Sequence, residues 1–342
     1  MPAKTFVAFT RLDASDVNAF LANKAISNEI INGAFDFWQR GTSFTQASSY
    51  TADRWQQSTD KTATISRQTF TPGAAPVAGY EGAFFLRHAA SAGGSFQVVQ
   101  QRVEDVRTFA GQTVTLSYWA KADAAVNNVV IMEQDFGTGG SSAVATSSVT
   151  HALTTSWARY TATISVPSIT GKTIGTNSSL IVRVIRTIDA LAHTVDIWGV
   201  QLEPGTVAND FRRNANSIQG ELAACQRYYY QWVNSAVDAQ FGPTSRASTI
   251  FSSMTFFLPV SMRTTPTVVS TASGGVFFRT VEYNTSFNIT TGSINAVSVG
   301  TSFNSQSIDL NFTRSAGLDG SYVYQTLDTA GVGSSVAFSA EL

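Results

Sequence analysis

Cysteine is nearly missing from this sequence: one residue, Cys225, occurs among 342. No intrachain disulfide can form, so packing, sheet pairing and contacts between copies must hold the fold, and synthesis fits a reducing compartment. A functional thiol would need a histidine or carboxylate placed beside it, whereas a lone cysteine between apolar helix positions is a small core residue. Charge is scarce as well. Asp, Glu, Lys and Arg together make 13% of the chain, about half the roughly 25% usual in globular proteins. The net charge is −1 and no run of Lys or Arg occurs, so the electrostatic footprint needed to neutralise phosphates is missing and nucleic acid is not an expected partner.

The three histidines, His88, His151 and His193, are scattered and far from Cys225, which excludes a Cys/His zinc cluster. No apolar run approaches the roughly 18 residues of a membrane-spanning helix. The opening MPAKTFVAFTRLDASD has no apolar stretch of roughly 7 to 15 residues behind Lys4, so neither a signal peptide nor membrane insertion is expected. Catalytic motifs are missing too: there is no GxSxG elbow, no GxxxxGK[ST] and no GxGxxG opening a helix. Acid pairs such as Glu133 with Asp135, or Glu104 with Asp105, can be proposed for glycoside hydrolysis, but only the fold decides whether they flank a sugar cleft. With no nucleophile, cofactor or metal framework in view, no residue is assigned a catalytic role and the chain is read as a non-enzyme.

What is present is Ser, Thr, Gly, Ala and Asn at the polar positions, with short runs rich in Val, Thr, Phe and Tyr between turn residues. Strands are expected at 62–70, 82–90, 95–103, 113–122, 128–136, 159–166, 179–187 and 194–203. With no βαβ alternation these favour a two-sheet jelly roll over an open α/β sheet. Before them, LDASDVNAFLANKAI (12–26) places Val17, Phe20 and Leu21 at helical spacing behind Asp13 as N-cap. At about 15 residues such a helix is marginal alone and must dock on something larger. After the strands, Ile218, Leu222, Cys225, Tyr229 and Trp232 recur at intervals of three and four, predicting a second helix as connector. Its tyrosines Tyr228, Tyr229 and Tyr230 would cover most of a turn, so at least one ring must face a neighbouring domain or subunit. Strand patterns resume to the end. The chain is therefore all-β: an N-terminal anchor helix (1–27), a jelly-roll β-sandwich (28–213), a linker helix (214–239) and a second smaller β-sandwich (240–342). Trp119, Trp157 and Trp198 lie inside the strand region and are expected in the core.

Three stretches, in this order, carry a resemblance: NEIINGAFDFWQRGTSFTQASSYTADRW (28–55), WGVQLEPGTVANDFRR (198–213) and ELAACQRYY (221–229). Together they resemble a family of bacteriophage virion proteins, described as tail fibre or minor structural proteins, with a carbohydrate-binding-module-like jelly roll. In such jelly rolls the segment matching NGAFD runs beside the closing strand matching VDIWGVQLE, and a carboxylate from each helps hold a structural calcium. Carried over, this implicates Asp36 and Asp196, although this chain has WGV where the modules show a second acidic residue. Pairing of Asp36 or Asp53 with Arg40 or Arg54 is the alternative. No other cofactor is implied.

The resemblance implies a virion protein, made in the host cytoplasm, that serves as a tail fibre or spike for host attachment. The N-terminal segment would dock on other virion proteins, and the terminal sandwich, with loops around Asn284 and Asn304, would meet host surface polysaccharide. Weak single sugar sites gain strength from several copies, so a homotrimer is the expected form. Two alternatives stand beside it: a capsid decoration or head fibre protein without receptor recognition, and a surface-polysaccharide depolymerase.

Overall fold

In the computed structural model the described residues are 28–77, 80–233, 240–246, 251–271, 278–283, 289–304, 307–314, 322–327 and 335–342. The expected anchor helix (12–26) and the loop at Asn284 lie outside them. Strands of the first unit are, in order, β1 (Ser43–Phe44), β2 (Ser48–Tyr50), β3 (Trp55–Thr59), β4 (Ala63–Thr69), β5 (Phe84–Ala90), β6 (Gln97–Glu104) and β7 (Thr113–Ala122). There follow β8 (Val126–Asp135), β9 (Val144–Ala145), β10 (Val149–Leu153), β11 (Ala158–Ser165), β12 (Ser179–Thr187) and β13 (His193–Pro204). They form two antiparallel sheets. One is six-stranded, in the order β1-β4-β5-β13-β7-β11; the other is seven-stranded, in the order β10-β8-β12-β6-β3-β2, with β9 on the side of β8. This is the jelly-roll sandwich that the sequence implied.

Period-two alternation builds the core. In β8 the odd members Val126, Val130 and Met132 are buried while Val129, Ile131 and Glu133 stand half open. The inward faces of both sheets meet in one cluster that includes Trp55, Ile65, Leu86, Val99, Leu116, Val182 and Ile197. β13 departs from alternation and is buried on both faces, because the outer face of its sheet carries a second layer. There Trp198 is surrounded by Phe70, Tyr80, Trp119 and Phe211, with ring centroids 5.1–6.2 Å away. Gly199 makes this possible. It sits at φ +64, at a register shift between Trp198 and Gln201, and a Cβ there would lie 2.7 Å from the Trp119 ring.

The connector is a single short helix, α1 (Ile218–Gln226), capped by Ser217, whose side chain accepts from the Gly220 amide. The expected helix to residue 239 is thus corrected. Tyr229–Val233 is a strand, β14, because it finds a partner in the last strand of the chain, pairing Tyr229 with Ser339 and Val233 with Ser335. The spacing suggests helix, but Tyr, Trp and Val themselves favour strand, and the ladder to the last strand adds to that preference. Beyond it come β15 (Gln240–Arg246), β16 (Phe251–Phe257), β17 (Thr267–Thr271), β18 (Phe278–Tyr283), β19 (Ile289–Asn304), β20 (Ser307–Arg314), β21 (Tyr322–Leu327) and β22 (Ser335–Ser339). The second unit is all-β as expected, but its strands close into a barrel, β15-β16-β20-β19-β18-β21, beside a three-stranded sheet, β14-β22-β17.

One end of the sandwich interior is polar. His88 is fully buried with both ring nitrogens unpartnered, and Gln97 and the facing Thr187 also carry unpartnered buried atoms. Burial, with Lys61 nearby, pushes the His88 pKa down to about 4. Asp53 is moved the other way: burial raises its carboxyl to about 6 against the pull of Arg40 and the Gln39 hydrogen bonds. As pH falls from about 6.5 to about 4 the unfolded chain protonates its histidine first, so His88 withdraws on the order of 3 kcal/mol of stability over that window. As pH falls from about 6 to about 3.8 the folded chain protonates Asp53 first, which returns a similar amount. We therefore expect nearly flat wild-type stability between about pH 6 and pH 4 from this pair. His88→Leu should grow more stable, and Asp53→Asn less stable, relative to wild type as the medium is acidified. Urea midpoints measured across that range check this, and parallel curves for all three proteins would contradict it.

Candidate functional site

The outer face of the seven-stranded sheet carries an open groove where that of its partner carries the aromatic layer. Register places Ser58 opposite Val98, Gln56 opposite Gln100, Gln100 opposite Arg183, and Arg183 opposite Ile131, all pointing outward. Ser58, Val98, Gln100, Ile131 and Arg183, with Glu133, line this groove of about 560 Å³. Its end at Ile188, which is 54% exposed, adjoins a second recess of about 390 Å³ that also includes Val129, Leu191 and His193. Polar and apolar groups alternate along the wall. Gln100 donates to Gln56 at 3.0 Å, and both terminal nitrogens of Arg183 hold Glu133 at 3.2 Å. Val98, Ile131 and Ile188 lie between them. Planar amide and guanidinium groups can hydrogen-bond vicinal hydroxyls, while aliphatic surface takes the C–H face of a ring.

Each carboxylate raised as a hydrolytic candidate is held by a cation. Glu133 pairs with Arg183; Asp135 pairs with Arg102 at 2.7 Å; Asp105 pairs with Arg107 at 3.1 Å. Glu104 holds Arg227 at 3.0 Å and accepts from the Tyr228 hydroxyl at 2.8 Å. A glycosidase acid must have its pKa raised so that it carries a proton. For Asp135, partial burial pushes upward but Arg102 and the Gly137 amide overcome it, and the carboxyl lies below its usual value.

The two aspartates suggested for calcium are not brought together. Asp36 lies against Arg213 at 2.8 Å, and Asp196 against Arg87 at 2.7 Å with Lys121 at 3.6 Å. NGAFD does run beside the closing strand, with the Val200 amide donating to the Gly33 carbonyl at 3.0 Å, but the carboxylates emerge to different guanidinium partners. No group of three or more His, Cys, Asp or Glu side chains suited to a metal occurs among the described residues, and a hard cation wants six to eight oxygens. The site does not fit calcium. The alternative pairing is present for Asp53, 3.7 Å from Arg40.

The remaining candidates are structural. Trp198 and Trp119 are buried in the aromatic layer; Trp157 sits half-buried at its margin, 5.4 Å from the Phe85 ring. Cys225 is fully buried, and burial pushes its thiol far up. Two of the three tyrosines bridge the two units, as expected of at least one ring: Tyr228, in the turn after α1, lies under Arg54 at 3.5 Å, and Tyr229, at the start of β14, under Arg40 at 3.6 Å, while Tyr230 on β14 is parallel to Phe338 of the same sheet at 6.2 Å. Both arginines also hold Glu341. Among the described residues no helix is long and apolar enough to cross a membrane.

No protein-family description matches this chain, and no curated protein does. Among solved structures, it is similar to the enzymatically active domain of tailspike protein 4 of bacteriophage CBA120, at 15% identity and a TM-score of 0.35 over 52% of this chain. The chain spans about a fifth of that protein, 21% of its length. It is also similar to a family 61 carbohydrate-binding module bound to β-1,4-galactotriose (14% identity, TM-score 0.31, 52% of this chain and 99% of the module). A third is the family 11 carbohydrate-binding module of a Clostridium thermocellum cellulase (9% identity, TM-score 0.31, 49% of this chain and 96% of the module).

Because Asp36 and Asp196 each have a cation already, calcium has little to add to either. Thermal unfolding in millimolar EDTA should match that in millimolar calcium, whereas Arg213→Ala, which leaves Asp36 uncompensated, should lower stability by about 1 to 3 kcal/mol. A calcium-dependent rise in melting temperature would reinstate the metal.

Proposed function

We propose that this chain is a non-enzymatic attachment protein of a bacteriophage particle, a tail fibre or spike component that holds host surface glycan in the groove across its seven-stranded sheet. The groove carries this reading. It is open, long enough to continue into a second recess, and lined by planar polar groups interleaved with aliphatic ones. The three stretches that resemble phage virion proteins support the setting. The sequence points to the terminal module as the receptor-facing part; the groove moves the proposed contact to the jelly roll. Glu133, the carboxylate in the groove wall, is engaged by Arg183, which supports binding over hydrolysis.

Binding of the full chain to a panel of bacterial surface polysaccharides, read on a biosensor, tests this. Wild type should bind at least one; Arg183→Ala should weaken that binding about tenfold or more, the worth of one charge-assisted bidentate contact. Reducing ends should not accumulate. Failure to bind any polysaccharide, or chain cleavage that Glu133→Gln abolishes, would overturn the proposal.

Single open grooves bind sugars weakly, so attachment calls for several copies whose sites act together. Light scattering at micromolar concentration is expected to give a trimer mass; a monomer alone would contradict this part.

A further inference from the structure

Two arginines reach the groove from β12 although they are three residues apart. In a regular strand, residues at odd spacing point to opposite faces. Here the ladder to β6 slips between Arg183 and Ile185, so Arg183 faces Gln100 and Arg186 faces Val98, both outward. Val184 and Ile185 meanwhile are both fully buried. A bulge of this kind re-aims a side chain at the expense of one ladder position.

The two cations are not equivalent. The charge of Arg183 is neutralised by Glu133, with two contacts of 3.2 Å. Arg186 lines the same groove and makes no ion pair among the described residues. The nearby acids are engaged elsewhere. Asp60 accepts from the amides of the groove residues Ser95 and Phe96 at 2.8 and 3.0 Å. Asp189, in the adjoining recess, holds His193 at 2.9 Å and Lys61 at 3.5 Å. In a chain with so little charge, a guanidinium aimed into an open groove beside an already neutralised pair marks a place for an anion.

We propose that the groove selects an acidic glycan, one whose sugar carries a carboxylate, and that Arg186 receives that carboxylate while Gln100 and the Arg183–Glu133 pair take neighbouring hydroxyls. This deepens the attachment reading and depends on it. The aliphatic wall formed by Val98, Ile131 and Ile188 gives the ring a dry side, which strengthens the ionic contact at the other.

The test uses the full chain with polygalacturonic acid and polysialic acid, each native and carboxyl-reduced, so that only the charge changes. Wild type should bind a native polymer about tenfold or more tighter than its reduced form, with the gap narrowing as salt rises. Arg186→Gln should bind both forms alike, at the affinity wild type has for the reduced one; Arg186→Lys should keep most of the preference. Ser58→Asp, placing a like charge across the groove, should remove the preference independently. Equal wild-type affinity for native and reduced forms, or a preference surviving in Arg186→Gln, overturns acidic selection while leaving glycan attachment standing. Binding of none of the four polymers overturns acidic selection; if the bacterial panel is also silent, the attachment reading falls with it.

Discussion

Burial of β13 on both faces is the constraint around which the jelly roll is arranged. A strand sealed from water on each side must satisfy every polar group internally, and Gln201 and Glu203 lie on that strand. The solution is supplied by the segments on either side in sequence. Asn28 accepts from the Ile30 and Leu202 amides at 2.9 and 3.0 Å and donates to the Arg212 carbonyl at 2.8 Å. Glu203 accepts from the Asn209 amide at 2.6 Å, and Gln201 from the Arg212 amide at 2.8 Å. Gly33 completes it, since a Cβ there would meet the Val200 carbonyl oxygen at 2.1 Å. The start of the jelly roll, the closing strand and the turn that follows are thereby a single knot.

The helix joins the same knot. Glu221 is buried in the first turn of α1 and accepts from the Asn32 amide and, at 3.2 Å, from the Ala215 amide. Burial raises its carboxyl, offset in part by these amides. The three stretches whose sequence carries a family resemblance are therefore the three that meet here. Their specificity is architectural: Asn28, Gly33, Gln201 and Glu221 are side chains, or the lack of one, that the fold needs at fixed places. The groove lies elsewhere, on residues of β3, β6, β8 and β12 outside all of those stretches. A resemblance built on the knot identifies the scaffold and leaves the ligand open.

This division explains what could be read in advance. Strands with clean alternation, such as β8 and β11, stand within a residue or two of their expected limits, because period two survives in the letters. The short strands β1, β2 and β9 carry too few residues for any period to register. Tyr229 and Trp232 fit a helical spacing as well as a strand; what decides is β22, more than a hundred residues away. The groove was hidden for a similar reason. Arg183 and Arg186 read as opposite faces of one strand, and the slip that brings them together exists only in the pairing with β6. The resemblance puts Asp36 and Asp196 forward as a pair, but nothing in their own neighbourhood announces Arg213 and Arg87 as their separate partners.

The junction between the two units carries the argument to the level of assembly. Glu341, two residues beyond the end of β22, brings its carboxylate back to Arg40 and Arg54, which are themselves stacked on Tyr229 and Tyr228. Arg263 adds hydrogen bonds to the Ala340 and Glu341 carbonyls at 2.9 and 3.0 Å. Arg54 is 1% exposed. Removing one partner from such a buried group leaves a bare charge and costs on the order of 3 to 5 kcal/mol, far more than the pair contributes net over an apolar substitute. Hinge motion here would require exposing or unpairing these charges, so the three-stranded sheet and the jelly roll move together. A rigid junction fixes where the groove points, and copies held at fixed orientation can engage one polymer chain at once, which is the condition under which weak individual sites add up to firm attachment.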